Sequence, residues 1–503
     1  VNRPTLSLIA GVAALAAVTA FATLNEPSGA ATRTAGTAAQ LPVERTSLLC
    51  PQPSTSDLAD TVYTSFTPAA KGTDGDGSAT LTAANGGSAE GGAASDKKGS
   101  EKKGAGNKPV LSPKEPGKPV TADVSGADSP ALVGTADGRF APGWTVQQTT
   151  EVAAGNGRGI SGVNCTAPDT EFWFPGASTA DSRTDYVHLT NPDDATAVVD
   201  IELYGKGGTI KSEVGEGIQV PANSTEPVLL STLSSAAEND LTVHVSVRSG
   251  RVAAAVQAAD DKLGGDWLPA AADPADNLVL PGIPKDATAV RLIAFAPGDS
   301  DADLRVRLAS PSGLITPAGN ETLHVKAGMT AAVDLGDVTR GEAGSLVLTP
   351  TGQSVPLVAA LRVVRGKAGK QETAFIPATF PVGTRATVAD NRSKSSTLDL
   401  TAPQGAATVK VTASAGSEGG TAVTKEYTIK AGTTQQITSL APGGLKGTYA
   451  LTVEPSSGGP VYAARTLALP QDGVPMFTVQ TLPDDRGTVA VPEADQDLSV
   501  LQK

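Results

Sequence analysis

A chain of 503 residues with 52 Asp and Glu against 39 Lys and Arg carries a formal net charge of −13, which leaves no general basic face and excludes DNA or RNA as the expected partner. Its 55 glycines and 36 prolines, beside few aromatics and much Ala, Thr and Val, suit β-branched strands broken by many turns and argue against a fold of long helices. The length allows several domains at about 100–200 residues each.

The first element is an export segment. Arg3 precedes an uncharged apolar run from Leu8 to Leu24, closed by Asn25-Glu26-Pro27. With Ala20-Phe21-Ala22 as a small-residue cleavage site, the apolar part has the length of a signal peptide, about 7–15 residues. Left uncut, the run just reaches the about 17–25 residues that span a bilayer. Residues 1–24 are thus read as a signal peptide or a retained membrane anchor, both of which put the bulk of the chain outside the cytoplasm, and residues 25–44 as a linker. Beyond the export segment the chain has two cysteines, Cys50 and Cys165. In an oxidising compartment an even pair is expected to form a disulfide, the alternative being two buried thiols.

From Arg45 onward the chain reads as four copies of one unit. "HVKAG" at Val325 recurs as "TIKAG" at Ile429 and as "QVPAN" at Val220, about 105 residues apart. Upstream in each copy a turn at Pro192, Pro297 or Pro403 precedes a strand, and downstream "SGRVAAAV", "TGQSVPLVAAL" and "SGGPVYAARTLAL" recur. That period is too long for solenoid repeats and suits one domain per copy. An irregular first copy aligns "LLCPQP" with "FWFPGA" and "LVLPGI", with Pro68 following Pro51 as Pro192 follows Pro175. The expected boundaries are 45–170, 171–277, 278–379 and 380–485, followed by a flexible tail at 486–503. The first copy is expected to carry a disordered insertion at 85–119, rich in Gly, Ser, Lys and Pro.

Within each copy the residues alternate with period two. Ala302, Leu304, Val306 and Leu308 share one face and Asp303, Arg305 and Arg307 the other, as in a strand with one side buried. Six or seven such strands per copy predict an all-β chain of tandem antiparallel β-sandwiches of immunoglobulin-like type; a propeller or jelly roll is the rival. Gly328 and Gly432 then supply the corner of each Lys-Ala-Gly turn, which makes the echo a fold signature rather than a ligand motif.

Candidate chemistry is sparse. His188, His244 and His324 each stand at a polar position of an alternating strand, without a metal-ligand spacing nearby, and are expected to be solvated. No G-x-S-x-G elbow is present. The adjacent acids Asp193-Asp194, Asp260-Asp261 and Asp484-Asp485 are expected in solvated turns rather than across a glycosidase cleft, and Asp74 to Gly77 lacks the remaining ligands of a calcium loop. No catalytic residue, metal site or cofactor is assigned. Trp173 in "EFWFPG" and Trp267 in "GDWLPA" fall at joins between copies. They are read as packing residues, or else as stacking platforms for sugar rings. The lysines of the insertion, Lys97, Lys98, Lys102, Lys103, Lys108, Lys114 and Lys118, read as a solvated loop or as a tether to anionic envelope polymer or lipid.

Taken together, "CPQP", "GISGVNCTAPDTEFWFPG" and "LTNPDDATAVVDIEL" resemble a family of uncharacterised secreted or membrane-anchored actinobacterial proteins, domain of unknown function 5719. Cys165-Thr-Ala-Pro168 and Trp173-Phe-Pro-Gly176 match its pattern. The resemblance implies a place in the cell envelope and brings no activity and no catalytic residue. The leading expectation is a non-enzymatic extracytoplasmic protein presenting tandem sandwiches to an envelope polymer or envelope protein, with membrane attachment if the apolar segment is retained. An envelope glycan-binding protein and an unrecognised envelope hydrolase are the alternatives.

Overall fold

The computed structural model describes residues 39–69, 75–86, 108–212 and 214–491. The export segment, the greater part of the linker, the middle of the lysine-rich insertion and the last residues of the tail lie outside them. The described chain is all-β, with antiparallel pairing in nearly every ladder and helix limited to two short 3-10 turns, Gly138–Phe140 and Leu230–Thr232. No described helix is long and apolar enough to cross a membrane.

The fourth copy shows the repeating plan. Its eight strands are Ala386–Asn391, Ser396–Ala402, Ala407–Ala413, Val423–Ile429, Thr433–Ile437, Tyr449–Gly458, Tyr462–Ala468 and Phe477–Thr481. The first, sixth, third and fourth form one sheet in that order; the fifth, second, seventh and eighth form the other. Copies two and three repeat both orders, with the fourth strand broken into two pieces, Gly208–Ile210 with Ile218–Val220 and Gly313–Ile315 with Thr322–Val325. The two sheets of each copy close over one apolar core. In the second copy it joins Val199, Ile201 and Leu203 of the third strand to Val187, Leu189 and Val256 of the opposite sheet. Alternation is the cause: every second residue of "AVVDIELYG" is buried.

The corner between the fourth and fifth strands takes a left-handed backbone in three copies, φ 51° at Asn223, 65° at Gly328 and 70° at Gly432. Gly and Asn are the residues that tolerate that region, which accounts for the repeated motif without a ligand.

In the first copy the sheets are Arg45–Cys50, Leu132–Asp137, Ala79–Ala83 and Val120–Ser125, Ala59–Phe66, Thr145–Val152, Gly159–Asn164. Here the insertion stands where the other copies have a fourth strand, and it is more ordered at both ends than its composition suggests. Asn85–Gly86 pairs in parallel with Ser224 and Thr225 of the second copy, and Leu111 bridges Leu81 and is buried in the core. Val110 and Leu111, in a stretch otherwise rich in Lys and Pro, supply the apolar anchor. Linker and tail also contain a strand each: Ala39–Pro42 pairs antiparallel with Thr488–Val491. These two strands form a compact unit of their own; residues 43–487 form the other.

Within residues 43–487 the four copies close into a cycle. The closing strand Gly159–Asn164 lies against Gly264–Leu268, which lies against Lys370–Pro377, which lies against Phe477–Thr481, which returns to Gly159–Asn164. Farther out, the opening strands of the second, third and fourth copies pack on the second and seventh strands of the next copy, the fourth on the first. Pro53 of the first copy completes the round by accepting a hydrogen bond from the Gln257 amide of the second (3.0 Å). Cores run across these seams: Phe375 of the third copy is buried in the core of the second, and Phe477 of the fourth in that of the third. Each such ring contributes about 1.5–3 kcal/mol of burial to a seam.

Candidate functional site: the axis and seams of the ring

Each closing strand is the edge of its sheet, so its outward amides and carbonyls need partners. Near the axis of the ring other copies provide them. Around Gly159–Asn164, Glu372 Oε1 of the third copy accepts the Ile160 amide (3.1 Å), and Asp266 Oδ1 of the second copy accepts the Gly162 amide (3.0 Å). Gln480 Nε2 of the fourth copy donates to the Gly162 carbonyl (3.0 Å), while Thr478 donates to Asp266 (3.0 Å). Arg158 pairs with Glu372 (3.4 Å) and donates to the carbonyls of Lys262 and Gln371. Side chains from three copies thereby cap one strand of the first.

The glycines make room for this. A Cβ on Gly159, which holds φ 119°, would run into Glu372 Oε1, and one on Gly162 would crowd Gln480 and Thr478. Burial dominates the acidity of both carboxyls. Glu372 is raised to about 8 despite the Ile160 amide and Arg158, and Asp266 is raised well above the ordinary range despite hydrogen bonds from Gly162, Trp267 and Thr478. Both are closed off from solvent, and their oxygens hold the strands of neighbouring copies in place.

Other buried ionisable groups stand in the outer seams and cores. Asp185 pairs twice with Arg183 (3.0 and 2.7 Å) and accepts the Ser178 amide. Arg291 of the third copy grips Asp240 of the second (2.7 Å). Asp399, raised to about 7 by burial, accepts from Gln436 and leaves Oδ2 without a partner. Arg465 is wholly buried, donates weakly to the Ala389 carbonyl (3.4 Å), and is lowered to about 10 by burial. Beside it, Asp390 has φ 51° at the position where copies two and three place Gly176 and Gly282, held by Arg392 (3.1 Å). None of these groups was singled out by motif. The signal available in the sequence was a charged residue inside an apolar run, as in "TLDLTA", "AARTLAL" and "QETAFIP".

The sequence-assigned residues are spread around the ring. Cys50 and Cys165 form a disulfide with Cα atoms 4.4 Å apart, tying the opening strand of the first copy to the end of its closing strand. Trp173 is 6% exposed and Trp267 1%, which corrects the reading of either as a sugar-stacking platform. Trp173 lies between His244 (3.8 Å, stacked) and Phe295 (5.5 Å), and Trp267 packs with Val163 and Ala255. Both faces of the opening strand are apolar because one meets its own core and the other the next copy.

The histidines divide. His324 is half exposed, with Asp303 at 2.8 Å. His244 pairs with Glu202 (2.8 Å) under Trp173. His188, expected to be solvated, is 2% exposed: the outer face of its strand meets the first copy rather than water. Burial lowers it to about 4, so it is neutral at physiological pH. It lines a cleft of about 20 Å³ between copies one and two, with Asn164, Thr190 and Ala253–Ala255. Of the paired acids, Asp193 holds Arg251 (2.9 Å), Asp260 accepts two turn amides, and Asp485 pairs with Arg385 (2.5 Å); all are turn or seam contacts. Among the described residues, no group of three or more His, Cys, Asp or Glu could hold a metal ion. Asp74 and the lysines before Lys108 lie outside the described residues.

In the comparison with known families the chain matches a family of unknown function, DUF5719, over residues 120–439. The chain belongs to this family. The match begins at the fifth strand of the first copy and ends after the fifth strand of the fourth, so "CPQP" at Cys50 lies outside it although Cys165 lies within. No curated protein matches the chain.

Proposed function

We propose that this DUF5719 protein is a non-enzymatic extracytoplasmic protein of the cell envelope, in which four linked β-sandwiches form a rigid body that presents its outer surface to envelope partners. Each copy is read as an immunoglobulin-related sandwich. Its second and fifth strands are neighbours in one sheet and its third and sixth in the other, as strands B, E and C, F are in the immunoglobulin fold. Its first and seventh strands lie on exchanged sheets.

The observation that carries the reading is the use made of the buried ionisable groups. Asp266 and Glu372 direct hydrogen bonds at a strand of another copy, and the half-buried Arg291 grips Asp240 of the copy before it, whereas Arg183 and Asp185 pair on their own strand. Asp266, Glu372 and Arg291 thereby hold copies in register. The disulfide is compatible with an oxidising compartment.

The test is cell fractionation combined with thiol labelling. Recovery outside the cytoplasm, with Cys50 and Cys165 labelled only after reduction, supports the reading. Recovery in the cytoplasm with both thiols free overturns the location. Release of sugar or peptide fragments from purified envelope, abolished by one carboxylate substitution, overturns the non-enzymatic assignment.

A further inference from the structure

Copies two and four are not neighbours in the cycle, yet two of their side chains meet at its axis. Asp266 stands opposite Ala258 in the second copy, and strand register gives Thr478, opposite Leu467, as the equivalent residue of the fourth. The first and third copies have Ser161, opposite Thr150, and Ala374, opposite Val363, at this position. The second and fourth are thus the opposed copies that bring a carboxyl and a hydroxyl to one point.

Thr478 Oγ1 lies 3.0 Å from Asp266 Oδ1 and 3.1 Å from Oδ2, and accepts a hydrogen bond from Gln480 Nε2 (2.8 Å). Asp266 Oδ1 also accepts the Gly162 amide (3.0 Å) and the Trp267 amide (2.8 Å). Two N–H groups aimed at one carboxyl oxygen from about 2.7–3.1 Å are what stabilises the oxyanion of acyl transfer. Thr478 is fully buried and Asp266 is 2% exposed. Among the described residues Asp266 forms no ion pair, the charges of Arg465 and Glu372 acting on it through space only. Burial keeps the carboxyl in its neutral form, which a hydroxyl can attack. Other hydroxyl–carboxyl contacts lack one of these conditions. Thr387 donates to Asp485, but Arg385 holds that group as a carboxylate; Ser78 with Asp137, Ser125 with Asp60 and Thr384 with Asp484 are exposed to water.

We propose that Thr478 and Asp266 condense to an ester that joins the fourth copy to the second across the axis. Thr478 Oγ1 forms a bond to Asp266 Cγ, and the Cγ–Oδ2 bond breaks. The Thr478 hydroxyl proton passes to Oδ2, which leaves with its own proton as one water. Charge gathering on Oδ1 in between is held by the Gly162 and Trp267 amides. The step needs no oxidant or cofactor, and no added group has to fit, because the bond forms between atoms already in contact. Bulk water would drive the reverse reaction, but well-aligned groups reach effective molarities of about 10⁵–10⁸ M, far above the concentration of water, and the axis is closed to solvent. The ester also removes the cost of burying a carboxyl group. The inference is independent of the envelope assignment, since either can fail alone.

The experiment is mass spectrometry of the reduced, denatured full chain, with its N-terminus read from the same peptide map. A mass below that of the sequence by one water is expected. Trypsin should then release one species that joins residues 263–285 to residues 466–486. Hydroxylamine should separate this species into its two peptides, with the hydroxamate on Asp266. Thr478→Val should restore the full mass, and Thr478→Ser, which keeps a hydroxyl, should retain the link. If Thr478→Val does not fold, the wild-type tryptic species decides, because it needs no variant. A wild-type mass equal to the sequence, a missing water confined to a single peptide, or a linked species that survives Thr478→Val would each overturn the inference.

Discussion

Truncation of Trp173 separates packing from ligand stacking and measures how tightly the ring is coupled. The indole is 6% exposed, stacked on His244 and Phe295, and its Nε1 donates to Glu171 Oε1 (3.1 Å). Trp173→Ala leaves a cavity at the seam of copies two and three, and buried Trp-to-Ala changes cost about 3–5 kcal/mol. The melting shift depends on what unfolds. If one copy melts alone, about 4–8 °C per kcal/mol applies and the shift is about 15 °C or more. If residues 43–487 melt as one unit, about 0.7 kcal/mol per residue gives an unfolding enthalpy near 300 kcal/mol, and the same loss moves the midpoint by only about 4 °C. Scanning calorimetry with denaturant titration gives both numbers. The continuous cores predict the second outcome, a single transition with a small shift and a large free-energy loss. A loss below about 1 kcal/mol would refute the seam assignment, and two separated transitions would refute the coupling.

Three further outcomes follow from the axis and the first copy. Glu372 has a folded-state value, about 8, above its ordinary one, so its contribution is complete below the ordinary carboxylate range and is lost as pH rises through 8; Glu372→Gln should flatten the fall of melting temperature between pH 5 and 9, and an unchanged slope would refute it. His188 has the opposite sign: lowered to about 4, it contributes fully above its ordinary value and loses that contribution as pH falls toward 4, so His188→Ile should reduce acid sensitivity in the same scan. Cys50→Ser opens a loop spanning 115 residues, worth about 4–5 kcal/mol in the chain-entropy account, and a denaturant midpoint equal to wild type under oxidising conditions would show that the bond contributes nothing.

What the sequence disclosed and what it hid have a common cause. Period-two alternation is a local signal, and it marks the strands of "DADLRVRLAS" and "LTVHVSVRS" because one face of each meets its own core. It fails where a strand is buried on both faces. His188 occupies a polar position in "YVHLT", yet that face meets another copy, and Asp266, Glu372 and Asp399 are hidden in the same way. Closure of the ring is a relation between residues such as Ile160 and Glu372, 212 positions apart, for which no local period exists. The anchoring of Leu111 was masked by the composition around it.

Ring closure also bears on why so many charged groups tolerate burial here. Replacing a buried ion pair with apolar residues is often neutral or stabilising, whereas removing one partner costs about 3–5 kcal/mol. Apolar side chains at the axis would satisfy the seams energetically but would leave the edge amides of Ile160 and Gly162 without partners, because each copy's closing strand ends its own sheet. Carboxylates and amides answer both needs at once. They fill the centre, and they bind only the strand whose edge matches them, so a copy displaced by one residue would leave Glu372 and Asp266 facing side chains instead of N–H groups. The Gly159 and Gly162 positions sharpen this, since any side chain there blocks the approach. Gly159→Ala should therefore loosen the axis without touching the core of the first copy, seen as faster amide exchange at Ile160 and Gly162 with protection retained at Tyr63 and Val146. Retained protection at Ile160 and Gly162 would show that the edge is held by something other than these side chains.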